Sequence, residues 1–113
     1  MNNSILISIK KLLGIDESYE AFDPDIIMHI NSVFTILHQL GVGTKEVFSI
    51  HDKFATWDEF IGDSATAESV KTYIYMKVRM VFDPPTSSIL AEALKSQIAE
   101  YEWRLNVSED DTY

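Results

Sequence analysis

Apolar residues along this chain recur at threes and fours, the spacing of one face of an α-helix. The first set is Ile5, Leu6, Ile9, Leu12 and Leu13, with Ser4 or Asn3 placed to cap its start and Gly14 to stop it. A polar connection follows from Asp16 to Glu20. In Phe22-Asp23-Pro24-Asp25 the pattern predicts a second helix start, with Asp23 as N-cap, Pro24 at the first helical position and Asp25 near the positive end of the dipole. Ile26, Ile30, Val33, Phe34, Leu37 and Leu40 then hold spacings of three and four until Gly41, which predicts a helix with a broad buried stripe.

Residues 41–55 are less regular. Gly41-Val42-Gly43 permits a turn, and Val47-Phe48-Ser49-Ile50 alternates as a strand would, over a run too short to assign one firmly. Thr56-Trp57-Asp58-Glu59-Phe60-Ile61 predicts a short helical turn in which Thr56 and Glu59 form a capping box. The next helix, Ser64 to Phe82, presents Val70, Tyr73, Ile74, Val78, Val81 and Phe82 on its apolar side. Asp83-Pro84-Pro85 ends it, because Pro84 disfavours helical geometry at Asp83 and neither proline has an N–H to donate. Thr86, Ser87 or Ser88 caps a last helix with Ile89, Leu90, Ala93, Leu94, Ile98, Tyr101 and Leu105 as its apolar set. The two arms are roughly 18 and 20 residues, about 27–30 Å each. The expected fold is therefore all-α: one small four- to five-helix domain over 1–107, with a long C-terminal antiparallel helical hairpin hinged at Asp83-Pro84-Pro85. Residues 108–113 are expected to form a flexible acidic tail. No internal repeat is visible.

Composition narrows the function classes. In 113 residues there is room for one domain and one modest core, and 46% hydrophobic and 12% aromatic content is that of a globular chain. The absence of cysteine excludes a disulfide scaffold or a thiolate metal site. Nine basic against 18 acidic residues give a formal charge of −9, a surface that repels phosphate backbones. DNA is thus expected to slide past such a wall rather than bind it in a sequence-specific way. No apolar run approaches the roughly 20 residues that cross a bilayer, and no signal peptide is evident, so a soluble protein without a membrane partner is expected.

Catalytic chemistry is hard to assemble from these residues. His29 and His38 are nine apart on one helix, too far for a zinc-holding pair, and His51 stands alone. Adjacent Asp58 and Glu59 diverge on a helix, while Asp23 and Asp25 fit helix-start roles better than an acid/base couple. Gly41-Val42-Gly43-Thr44-Lys45 lacks the spacing of a phosphate loop and follows a helix rather than a strand. The expectation is no enzyme, no cofactor and no metal. Contact residues are sought instead in Trp57 and Phe60, outside the long helices, with core cover as the competing assignment. Tyr75, two positions round from the core-facing Tyr73, and Arg79 are expected on the outer side of the hairpin. Asp110, Asp111 and Tyr113 of the tail are expected to meet neighbours.

Three stretches resemble the phage head–tail connector family, also called adaptor or head-completion proteins. Ile9-Lys10-Lys11-Leu12-Leu13-Gly14-Ile15-Asp16 resembles its opening helix, running into Gly and an acidic turn. Residues 24–41 resemble its second helix, ending in Leu-Gly. Val70-Lys71-Thr72-Tyr73-Ile74-Tyr75-Met76-Lys77-Val78-Arg79 resembles its third, and Asp83-Pro84-Pro85 and Glu102-Trp103-Arg104-Leu105-Asn106 are similar to stretches of prophage members. The resemblance implies a structural role in the virion neck, reached from the bacterial host cytoplasm during assembly. It implies a ring homo-oligomer beneath the portal protein that extends the DNA channel and docks a neck or tail component. The alternative from another class is a small acidic helical adaptor or regulator that binds a protein without forming a ring.

Overall fold

The computed structural model describes residues 3–62 and 66–110. Five helices follow in order: α1 (Ile5–Leu12), α2 (Asp23–Gln39), α3 (Trp57–Phe60), α4 (Ala67–Phe82) and α5 (Ser88–Asp110). The fold is all-α, and the described residues form no strand, only an isolated bridge between Ser4 and Thr56.

α4 is the centre of the packing, with α2 against one side and α5 against another, and α1 touching both α2 and α4. The buried faces repeat at helical spacing: Ile5 and Ile9 on α1, Ile26, Ile30, Val33, Phe34 and Leu37 on α2, Val70, Tyr73, Ile74 and Val78 on α4. This apolar burial is the main stabilising contribution.

Local chemistry sets the helix ends. Ser4 Oγ accepts from Ile7 N–H at 3.2 Å, which caps α1. The capping box on α3 is complete, since Glu59 N–H donates to Thr56 Oγ1 and Thr56 N–H donates to Glu59 Oε1. Ser87 caps α5, its hydroxyl accepting from Leu90 N–H. α2 begins differently from the sequence expectation. Phe22 occupies the N-cap position without a side-chain cap, and Asp23 is already helical. The Asp23 carboxylate is drawn instead to Lys10, Oδ1 standing 2.9 Å from Nζ.

The irregular stretch between α2 and α3 is fastened at three places. Asn31 on α2 serves both backbone groups of Ile50, donating to its carbonyl at 2.9 Å and accepting from its N–H at 2.8 Å. Phe34, Phe48 and Phe60 form an aromatic cluster with centroids 4.6–5.2 Å apart. Backbone bonds from Ile5 N–H to Ala55 O and from Trp57 N–H to Asn3 O, both 3.0 Å, tie α3 to the start of α1.

At the C-terminal end, α5 runs back along α4: Tyr73 reaches Glu102 at 2.7 Å, and Lys77 lies 3.8 Å from the same carboxylate. Burial on α5 is narrower than its apolar content predicts. Among its described side chains only Ile98 and Leu105 are buried, flanked by half-buried Leu94 and Tyr101. These four are spaced at four, three and four, a single seam against one helix. Ile89 and Leu90, expected in the buried set, are 80% and 60% exposed, and Val81 on α4 is 61% exposed. The cause is coverage. The extensive contacts of α5 are with α4, so apolar residues off that seam have nothing to pack on. α5 also continues to Asp110, so the backbone of 108–110 is helical.

Candidate functional site

Trp57 and Phe60 sit in the core of the single chain. The Trp57 indole N–H donates to Ser8 Oγ at 3.1 Å with the Lys71 ammonium over its ring, and Phe60 packs on Phe34 and Phe48. Both are buried, so core cover describes their place in this conformation. The capping box was the available signal, because it aligns Trp57 and Phe60 on one face of a single helical turn.

Tyr75 and Arg79 lie one turn apart on α4 and are half-buried rather than fully outward as expected, Tyr75 packing against the edge of the core. An Arg79 Nη1–H donates to Tyr75 Oη at 3.3 Å, and Nε–H donates to the Asp83 carbonyl at 3.4 Å. Among the described residues no carboxylate stands within ion-pair distance of Arg79. Lys71, Lys77, Lys95 and Arg104, by contrast, each stand within 4 Å of a glutamate.

Two open hollows share Arg79 as a wall. One of about 230 Å³ is lined by Arg79, Pro85, Leu90, Ala93, Leu94 and Gln97. The other, about 260 Å³, lies between α4 and the end of α1, against Lys11, Leu12, Leu13, Tyr75 and Asp83. A wider hollow of about 600 Å³ between α2 and the loop before α3 has Leu6, Ile27 and Ile50 in its lining and Glu20, Asp23 and Asp52 among its charged residues.

The tail residues Asp111 and Tyr113 lie outside the described residues, and so does the side chain of Asp110.

Most of the singled-out carboxylates have structural partners. Asp58 accepts from Asn3 at 2.9 Å, Glu59 completes the capping box, and Asp23 faces Lys10. His38 Nε2 is 3.1 Å from the Lys45 carbonyl. Among the described residues no three His, Asp or Glu side chains gather as a metal site would require. Burial, then the hydrogen bond to Glu102, push the Tyr73 phenol far above the ordinary tyrosine range, so it remains a donor to that carboxylate. Asp16 shifts the other way, lowered chiefly by hydrogen bonds from the Ser18 hydroxyl and N–H.

Lys10 was visible in sequence only as part of the opening-helix stretch Ile9-Lys10-Lys11-Leu12. In the fold it is 1% exposed, and Nζ donates to the carbonyls of Glu17 at 3.1 Å and Tyr19 at 2.7 Å beside the Asp23 carboxylate. Asp23 Oδ1 has no directional hydrogen bond, so its tie to Lys10 is one of charge. One ammonium thus pins the loop between α1 and α2.

Among the described residues no helix is long and apolar enough to cross a membrane. No curated protein and no solved structure gives a significant match to the chain. A match to the phage connector protein family runs over residues 5–112, from the first residue of α1 to beyond the last of α5. With its whole helical framework inside that match, the chain belongs to the phage connector protein family.

Proposed function

We propose that this chain is a head–tail connector of a phage or prophage, which assembles as a ring on the portal protein, extends the DNA channel and docks a neck or tail component. The observation that carries the proposal is the family match across all five helices. Phage connectors are structural proteins of the virion neck and work with other phage structural proteins. The surface supports a role of that kind. Ile89, Leu90, Val81 and Trp103 are exposed on α4 and α5, apolar area that a neighbouring protein would cover. A net charge of −9 lets DNA pass an acidic wall without adhering to it. The function is carried by contact surfaces, with no catalytic step.

Mixing the purified chain with the purified portal protein and measuring the mass of the complex by light scattering, with imaging by electron microscopy, tests this. A ring of several copies seated on the portal is expected. A chain that remains monomeric in the presence of assembled portal refutes ring assembly and leaves the adaptor alternative standing.

A further inference from the structure

The hollow beside Arg79 is unusual for this surface. Acidic residues outnumber basic ones 18 to 9 in the chain, yet its six lining residues, Arg79, Pro85, Leu90, Ala93, Leu94 and Gln97, include no carboxylate. The guanidinium is oriented by the Tyr75 hydroxyl and the Asp83 carbonyl, neither of which neutralises it. The nearest acidic side chain along the chain, Asp83, lines the other hollow together with Arg79 and Lys11 and makes no ion pair with Arg79 among the described residues. Beside the cation lies exposed Leu90. Such a place selects an occupant with carboxylates and an apolar or aromatic group close together.

One segment of this chain has that chemistry. Glu109, Asp110 and Asp111 are consecutive carboxylates, and Tyr113 follows two residues later. They cannot reach the hollow of their own molecule. α5 is continuous through Asp110, which lies 13–16 residues beyond Gln97 and Leu94, about 20–24 Å along a helix axis. The residues from Asp111 to Tyr113 span only about 10 Å when extended. The helix that forms one wall of the hollow therefore carries these C-terminal acids away from it.

We infer that the Glu109–Tyr113 segment of one copy docks in the α4/α5 hollow of the next, with carboxylates on Arg79 and Tyr113 against Leu90 and Leu94. The inference rests on the ring assembly proposed above and supplies one of its contacts. Groove and segment are different surfaces, so the contact is head-to-tail, and repeated through a closing rotation it generates a ring.

The chain has no cysteine, so single cysteines report the contact directly. Oxidising a mixture of Leu90→Cys and Thr112→Cys full-length proteins is expected to yield disulfide-linked pairs. Placing Arg79→Glu in the Leu90→Cys partner is expected to lower the yield about tenfold, the worth of one charge-assisted contact. Adding Glu109→Lys, Asp110→Lys and Asp111→Lys to the Thr112→Cys partner is expected to restore it. The absence of cross-linking, or cross-linking indifferent to both charge reversals, overturns the inference. Cross-linking abolished by added portal protein also overturns it, by assigning the hollow to the portal. Light scattering on the unsubstituted chain with portal, run in parallel, separates the two proposals: rings without the cross-link leave ring assembly standing on other contacts, whereas monomers throughout refute both.

Discussion

Replacing Lys10 with Met keeps the length of the aliphatic stem and removes only the ammonium. Packing is therefore nearly conserved, and the loss isolates three polar contacts: the Glu17 carbonyl, the Tyr19 carbonyl and the Asp23 carboxylate. Breaking a fully buried ion pair costs about 3–5 kcal/mol, because the remaining charge is left without a partner. Asp23 is 20% exposed and sits in the first turn of α2, where the helix dipole still favours a negative charge. We reduce that term to about 2 kcal/mol for these reasons. The two carbonyls, each part-buried, add about 0.5 kcal/mol apiece. The expected loss is about 3 kcal/mol, or roughly 10 °C in Tm for a domain of this size. Urea unfolding followed by far-ultraviolet circular dichroism measures it, with an unchanged slope showing that the fold itself is retained. Adding Asp23→Asn to Lys10→Met removes the orphaned charge and is expected to recover about half of the loss. A loss below about 0.5 kcal/mol, typical of an exposed lysine, would refute the assignment of Lys10 as the pin of the α1–α2 loop.

Other substitutions probe separate supports. Tyr73→Phe removes the 2.7 Å bond to Glu102 and is expected to cost about 1–2 kcal/mol near neutral pH. The Tyr73 phenol is raised above its ordinary value in the fold, so its contribution is complete below about pH 10 and is lost as pH rises beyond the unfolded value. The gap between wild type and Tyr73→Phe should narrow there in chemical denaturation series, and a constant gap contradicts the assignment. Gly43→Ala places a side chain at φ +100° with Phe60 Cζ 2.8 Å from its Cβ. Strain and clash together are expected to cost about 2–3 kcal/mol by urea unfolding, and an unchanged midpoint is the contrary result. Asn31→Ala frees both backbone groups of buried Ile50 and is expected to cost about 2 kcal/mol, with faster amide exchange confined to residues 48–52. Uniform exchange across the chain would count against a local role.

The helix ends show how much local chemistry carries. Ser4, the Thr56/Glu59 box and the Asp83-Pro84-Pro85 break lie where their side chains predict. Capping and proline geometry involve groups within four residues of one another, so a linear pattern contains all the participants. Asp23 shows where that stops. Its sequence context suits an N-cap, but Lys10, thirteen residues earlier, brings an ammonium within 2.9 Å and takes the carboxylate.

The same division separates the core from the candidate site. Periodicity was enough to place the all-α class, the buried stripe of α2 from Ile26 to Leu37 and most of that of α4 from Val70 to Val78, because a helix covered on several sides buries most of its apolar face. It missed buried Met76 and included Val81, which is exposed. Periodicity reads α5 the same way, yet Ile89 and Leu90 stand exposed while Ile98 and Leu105 are buried. Which apolar residues become core depends on how many neighbours a helix acquires, and α5 packs extensively on α4 alone. From sequence Arg79 is expected on the outer side of the hairpin, and the fold half-buries it. That it lacks a carboxylate partner among the described residues and stands between two hollows follows from the positions of α1, α4 and α5 in space. Helix position and composition were therefore local properties of the chain. The ammonium that holds a loop and the surface left for a neighbour are relations between distant residues, and only folding brings those residues together.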